Sequence, residues 1–375
     1  MDTKKAADIL KTSVLILALI AFIVVAACQF YEAKSNENDS ERVLLGYDGG
    51  KSELIGSSLM GRPAPMGDIV GIVASGSFMI VDKNASSVST DTYMLSDPVL
   101  DSDGKYCVVG DYGGKTVHLY EDGKLLTEIE AEGTIISLVT NTNGFFAVAT
   151  EQVGYDAVVT VYRKNGEAVY RYRMSGKSFI DMDISENNRR LLIAAANLDY
   201  GTVATTLTVA EFNREDAESV FEATDKLYFA VHFNKNGSFV CLGESGVDIY
   251  RADGEKQSEI DFSSRTLTAA DISTDDMICL AFSTSSGELV GAVMEIYDKN
   301  GKKRGETQFS QRVEYICVNG AYAAASYGNY VDIVRGNGKV KTKLEAQSPV
   351  KYAAPFSNGS SAVVFAGGNT EVLKG

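Results

Sequence analysis

The chain has 375 residues, 45% of them hydrophobic, and a formal net charge of −15. That length holds one large domain or two ordinary ones, and the apolar share is enough for a sizeable core. The acidic balance excludes sequence-independent nucleic-acid binding, which needs a basic footprint.

Residues 12–31, TSVLILALIAFIVVAACQFY, form an apolar run of twenty without a charge. As a helix they extend roughly 30 Å, enough to cross the hydrocarbon of a bilayer. Lys4, Lys5 and Lys11 precede the run, and the mostly acidic EAKSNENDSER follows it. This bias predicts a single-pass signal anchor, with residues 1–11 in the cytoplasm and everything beyond Tyr31 outside the cell membrane. Val25-Ala26-Ala27-Cys28 keeps a second reading open, a lipoprotein signal cut before Cys28 with that cysteine lipidated. Both readings tether the remainder on the outer side of the membrane. Residues 32–41 read as a polar stalk.

From residue 42 onward the sequence is organised by repeats. The clearest unit is 133–176, where TIISLVT, FFAVAT, AVVTVYR and AVYRYRM read as four short strands. Two of their connections are the turns Asn141-Thr142-Asn143-Gly144 and Lys164-Asn165-Gly166-Glu167, and alternation bounded by Asn-Gly is a hairpin signal. The first turn recurs at Asp101–Gly104, Ser185–Asn188, Asn234–Gly237 and Ser273–Asp276, shortened at Asn319-Gly320 and Asn358-Gly359. The second recurs at 121–124, 213–216, 252–255, 299–302 and 336–339, usually just after an aromatic such as Tyr120, Tyr250 or Tyr297.

Two turn series in register, with a period near forty, predict an all-β chain folded as a single β-propeller. One four-stranded blade cannot cover both of its faces, whereas a ring of blades covers them all and protects the edges. The units fall at about 52–97, 98–132, 133–177, 178–226, 227–264, 265–311, 312–349 and 350–375. The last has three strands, and RVLLGYD at 42–48 is the segment expected to supply its fourth. That makes eight blades. SELIGSSL makes a poor first strand for the first unit, so seven is the alternative.

The repeats, built on Y-x-x-[DN]-G-[KE], resemble PQQ-like and WD-type propellers. More closely, the whole chain resembles a bacterial family of membrane-anchored propellers of unknown function. The resemblance implies extracytoplasmic placement and no assigned activity. It also offers a scaffold analogy with the outer-membrane assembly lipoprotein that carries a PQQ-like propeller. PQQ-dependent dehydrogenases carry Trp in their docking motifs and around the quinone, and this chain has none. No cofactor is therefore expected.

Catalytic motifs are lacking. His118 and His232 each fall inside a predicted strand, where packing is the ordinary role, and no zinc-binding spacing occurs. Cys107, Cys241, Cys279 and Cys317 lie in apolar strand contexts and read as buried small side chains. Asp101-Ser102-Asp103-Gly104 is too short for a calcium loop and reads as a hairpin turn. The longest second-to-third-strand loops are expected at 151–156, 197–204 and 283–291. Loops on a rigid scaffold commonly carry binding, so Tyr155, Asp156, Asp199, Tyr200 and Glu288 are the candidate partner contacts.

The sequence thus predicts a tethered extracytoplasmic propeller that binds a protein or cell-envelope component without catalysis. The alternative is an envelope hydrolase or lyase using carboxylates or Tyr in the central channel. Paired buried carboxylates in the channel favour the second; a flat Tyr-rich or apolar patch on one face favours the first.

Overall fold

A computed structural model describes residues 52–57, 61–74, 76–199, 202–214, 217–224, 226–273, 276–286 and 289–375. The expectations for the membrane segment, Cys28, the stalk and RVLLGYD lie outside these residues.

The described residues form eight four-stranded antiparallel sheets and contain no helix. Blades 1 to 7 occupy 64–94, 98–130, 134–174, 178–224, 228–261, 267–309 and 315–345, each a simple meander. Blade 8 takes three strands from 350–374 and its fourth from Ser52–Ser57, which pairs antiparallel with Asn369–Lys374. Eight blades, not seven, close the ring.

The closing strand corrects two expectations: the fourth strand of the last blade is Ser52–Ser57 and not RVLLGYD at 42–48. Ser52–Ser57 is not the first strand of blade 1, which begins at Ala64–Met66. Its weak alternation suits an outermost strand, because only one of its edges is paired and a register shift falls between Leu54 and Gly56.

The turns behave as their composition dictates. Gly144 and Gly166 hold φ of 78° and 83°, backbone that residues with a Cβ adopt only under strain. The turn asparagines have a second use. Asn141 Nδ2 donates to Ser185 O at 3.1 Å, and Asn319 Nδ2 donates to Pro355 O at 2.8 Å, each in the next blade.

Apolar clusters lie between neighbouring blades all the way round. Val108, Leu119, Ile135 and Phe146 join blades 2 and 3, and Val240, Ile249, Ile278 and Phe282 join blades 5 and 6. Val70, Ile72, Phe356 and Val363 join blade 1 to blade 8, so the closure is packed as well as hydrogen-bonded. Cys107, Cys241, Cys279 and Cys317 are buried free thiols.

Each third strand from blade 2 to blade 7 buries at least one polar side chain: His118, Thr160, Thr208 (with Thr205 and Thr206), Asp248, Glu295 and Asp332. Burial between two blades requires a partner. His118 pairs with Glu128 at 3.2 Å and stacks on Tyr93, and burial lowers its pKa. Glu295 meets Lys303 at 2.6 Å and Arg265 at 2.8 Å. Asp248, 1% exposed, meets Lys226 at 2.7 Å and Lys256 at 2.8 Å and accepts the Tyr228 hydroxyl. Asp248→Ala removes the acceptor that hydroxyl and both ammonium groups share, leaving them Tyr250 and Glu259, and is expected to cost about 1–2 kcal/mol in urea unfolding. A cost below about 0.5 kcal/mol would mean that the cluster does not hold blade 5 together.

Candidate functional site

The meanders give the ring two unlike faces. Turns between first and second strands, and between third and fourth, share one face, here the paired-turn face. Turns between second and third strands share the other with the links between blades, here the crossover face. The first strands line the central channel.

The channel is more polar than the sequence suggested. Asp101, Asp181, Asp183 and Asp271 project from first strands of blades 2, 4 and 6. Each reaches the first strand of the next blade. Asp101 accepts the Thr140 N–H at 2.7 Å, Asp181 that of Val231 at 2.8 Å, Asp183 that of Phe233 at 2.6 Å and Asp271 that of Val318 at 2.6 Å. The carboxylates therefore stitch blade 2 to 3, 4 to 5 and 6 to 7. Asp101 belongs to this set, which explains its turn without a metal. Among the described residues no three His, Cys, Asp or Glu side chains are grouped to hold a metal ion.

Burial dominates the electrostatics. It pushes Asp101 and Asp271 up to about 6 and Asp181 up to about 7. At His232 burial opposes protonation, but the Asp183 carboxylate, 3.1 Å from Nδ1, overrides it and raises the group to about 9. His232 Nε2 is buried and has no hydrogen-bond partner among the described residues. The two histidines do not meet: His118 lies on the third strand of blade 2 and His232 on the first strand of blade 5.

The channel holds two cavities. One of about 530 Å³ faces the paired-turn side and includes the four aspartates. The other, about 460 Å³, opens at the starts of the first strands of blades 5, 6 and 7. Arg62, Val231, His232, Asp271, Ile272 and Tyr315 line both and form the waist between them.

The crossover face carries the apolar surface. Ten large apolar side chains are exposed among the described residues. Met94, Tyr112, Val153, Tyr155, Phe229 and Tyr330 sit at strand ends or tips on this face. Val88, Leu125, Leu126 and Val220 sit on fourth strands at the circumference. None lies in a turn of the paired-turn face.

The sequence-derived candidates divide accordingly. Tyr155 is exposed at the tip of blade 3 with the Arg173 guanidinium 5.8 Å from its ring centre. Asp156 accepts the Gly176 N–H and so fastens the link from blade 3 to blade 4. Asp199 ends the second strand of blade 4, paired with Thr202; its side chain, Tyr200 and Glu288 lie outside the described residues. The three supposed long loops are hairpins paired close to their tips. Arg190–Asp199 with Thr202–Glu211, and Met277–Ser286 with Leu289–Asp298, are ten-residue strands. Sequence reasoning missed Tyr112, Val153 and Tyr330, although each stands beside or near a glycine in a second-to-third-strand turn. It also missed the channel aspartates, because an Asp before a turn reads as turn chemistry.

Residues 65–374 match the model of a family of unknown function, DUF5711. The chain belongs to DUF5711. No curated protein matches the sequence. The DUF5711 propeller is similar in structure to the C-terminal WD40 domain of Sif2, at 11% identity and a TM-score of 0.61, over 88% of this chain and 99% of that one. It is similar to BamB from Moraxella catarrhalis at 11% identity and a TM-score of 0.51, over 87% and 100%. It is also similar to Chaetomium thermophilum Sqt1, solved bound to the N-terminus of the ribosomal protein L10, at 13% identity and a TM-score of 0.53, over 85% and 96%. At such identities the likeness shows the DUF5711 fold and nothing of its chemistry.

Proposed function

We propose that this protein is a non-catalytic binding or scaffold module, tethered to the cell membrane by residues 12–31 and exposed on the outer side, with a protein or cell-envelope ligand. One observation carries the reading: six of the ten large apolar side chains exposed among the described residues, including all four aromatic ones, stand at strand ends or tips of the crossover face. Ser52 opposes Leu373 and Ser57 opposes Asn369, so the closing strand starts on the paired-turn face. Tyr155 and Asp156 belong to the proposed contact surface, and Asp199, Tyr200 and Glu288 are proposed as further contacts.

The test is crosslinking in intact cells followed by mass spectrometry. One reproducible envelope partner is expected, with recovery at least about tenfold lower in Tyr112→Glu/Val153→Glu/Tyr155→Glu and unchanged in Leu125→Glu/Leu126→Glu. Equal loss in both variants, or in neither, would overturn the assignment of this face. Intact mass of the mature protein separates the two tethers, since a lipoprotein loses everything before Cys28 and gains acyl mass.

A second reading, an envelope hydrolase or lyase, is favoured by the Asp183–His232 pair facing the channel. Turnover abolished by Asp183→Asn in a substrate screen would support it. Against it, the channel carboxylates already accept backbone N–H groups of the next blade.

A further inference from the structure

The aspartates of the channel use their oxygens on neighbouring backbone. Asp271 is typical: Oδ1 accepts the Ile272 N–H at 3.0 Å and Oδ2 that of Val318 at 2.6 Å. The donors at the waist have no such partners. Arg62 makes no hydrogen bond or ion pair to any described residue; its nearest aromatic group is the Tyr315 ring, 5.8 Å from the guanidinium carbon. His232 gives its Nδ1 proton to Asp183 and leaves Nε2 unpaired. Arg62 is exposed, whereas His232 Nε2 is a buried donor without an acceptor, which is costly and is satisfied by a ligand that brings one.

The cavity leading from the crossover face to this waist is mixed: Phe229, Leu242, Leu267, Ala269 and Ile316 line it together with Thr268 and Glu314, and Phe229 is 44% exposed at its mouth. Apolar walls that meet a few convergent polar groups are the ordinary form of a small-ligand site.

We propose that this pocket binds a carboxylate attached to an apolar or aromatic body, the carboxylate on Arg62 and His232 at the waist and the body against Phe229, Leu267 and Ile316. A planar guanidinium matches a carboxylate with two parallel hydrogen bonds, which sets the acid apart from its amide. Multiply charged anions are disfavoured by Asp183 and Asp271 beside the same donors. Burial pushes Asp101, Asp181 and Asp271 toward their neutral forms, which lowers the repulsion a single carboxylate meets. The same chemistry comes from a small free acid or from the C-terminal residue of a peptide.

Calorimetric titration of the purified full chain at pH 6 tests this with 3-phenylpropionate, its amide, and the tripeptide Gly-Gly-Phe with a free or amidated C-terminus. The free acid is expected to bind at least about tenfold more tightly than the amide, and Arg62→Met to lose the same factor. Arg62→Met is expected to melt within a few degrees of the parent, because Arg62 is exposed and its contact is a distant one with the Tyr315 ring. His232→Asn weakens the acid and not the amide. Binding of phenylpropionate alone assigns the site to small acids; binding of the free tripeptide as well assigns it to peptide C-termini. No heat with either acid up to about 10 mM, equal affinity for acid and amide, or unchanged affinity in Arg62→Met overturns the proposal.

Discussion

A fragment starting at Gly61 is expected to aggregate, or to melt at least 10 °C (about 5 kcal/mol or more) below a fragment starting at Gly49. The difference between them includes Ser52–Ser57, the strand that completes blade 8. Without it, Asn369–Lys374 becomes the open edge of a sheet whose residues Val372 and Leu373 are buried, and the last blade has three strands against a neighbour built for four. A ring distributes this loss, since blade 8 also packs on blades 7 and 1 through two apolar clusters. Circular dichroism melts of the two fragments decide it. Equal melting temperatures would show that Ser52–Ser57 does not hold the ring closed.

The second large effect is on pH. Asp101, Asp181 and Asp271 have folded-state pKa values raised to about 6, 7 and 6, and His232 is raised to about 9. A raised group makes its full contribution below its unfolded pKa and loses it as pH climbs through the folded one. All four act in the same direction between pH 5 and 8. Asp181 alone accounts for about 2–3 kcal/mol over that range, roughly 5 °C of melting temperature, and the set is expected to lower it by more than that. The acid side is bounded by Glu295. Burial works against its ionisation, yet Lys303, Tyr297 and Arg265 hold it down at about 2, so its contribution fades as pH falls toward that value. The optimum is therefore expected near pH 5. Asp181→Asn keeps an acceptor for the Val231 N–H and removes the largest share, so its melting temperature should vary less with pH. A parent that melts higher at pH 8 than at pH 5 would contradict the assignment of these groups.

The channel and the third strands show why polar residues were harder to read than the ring. His118, Thr160, Asp248 and Glu295 each stand two residues before the aromatic that precedes the second turn, at Tyr120, Tyr162, Tyr250 and Tyr297. The polar position repeats with the aromatic one, yet single charges in strands read as solvent-facing under a period of two. Both faces of these strands are covered, so the rule inverts: the polar residue is inside and paired. The three supposed loops were misread for a related reason. Ser, Thr and Gly at 283–291 suggest a loop, whereas second and third strands of unequal blades simply extend beyond the ring as paired ladder.

By itself the sequence determined the repeat, the strand order within a blade, the boundaries of blades 2 to 7 to within a few residues and the all-β class. These are local matters: alternation and glycine turns act over a handful of neighbours, and they recur often enough to be counted. Only the tertiary structure decided which segment closes blade 8, that the ring has eight blades, that aspartates from alternate blades meet in one channel, and that the exposed aromatics share a face. Each depends on bringing together residues tens or hundreds of positions apart, such as Ser52 and Leu373, where chain entropy leaves no local trace of the contact.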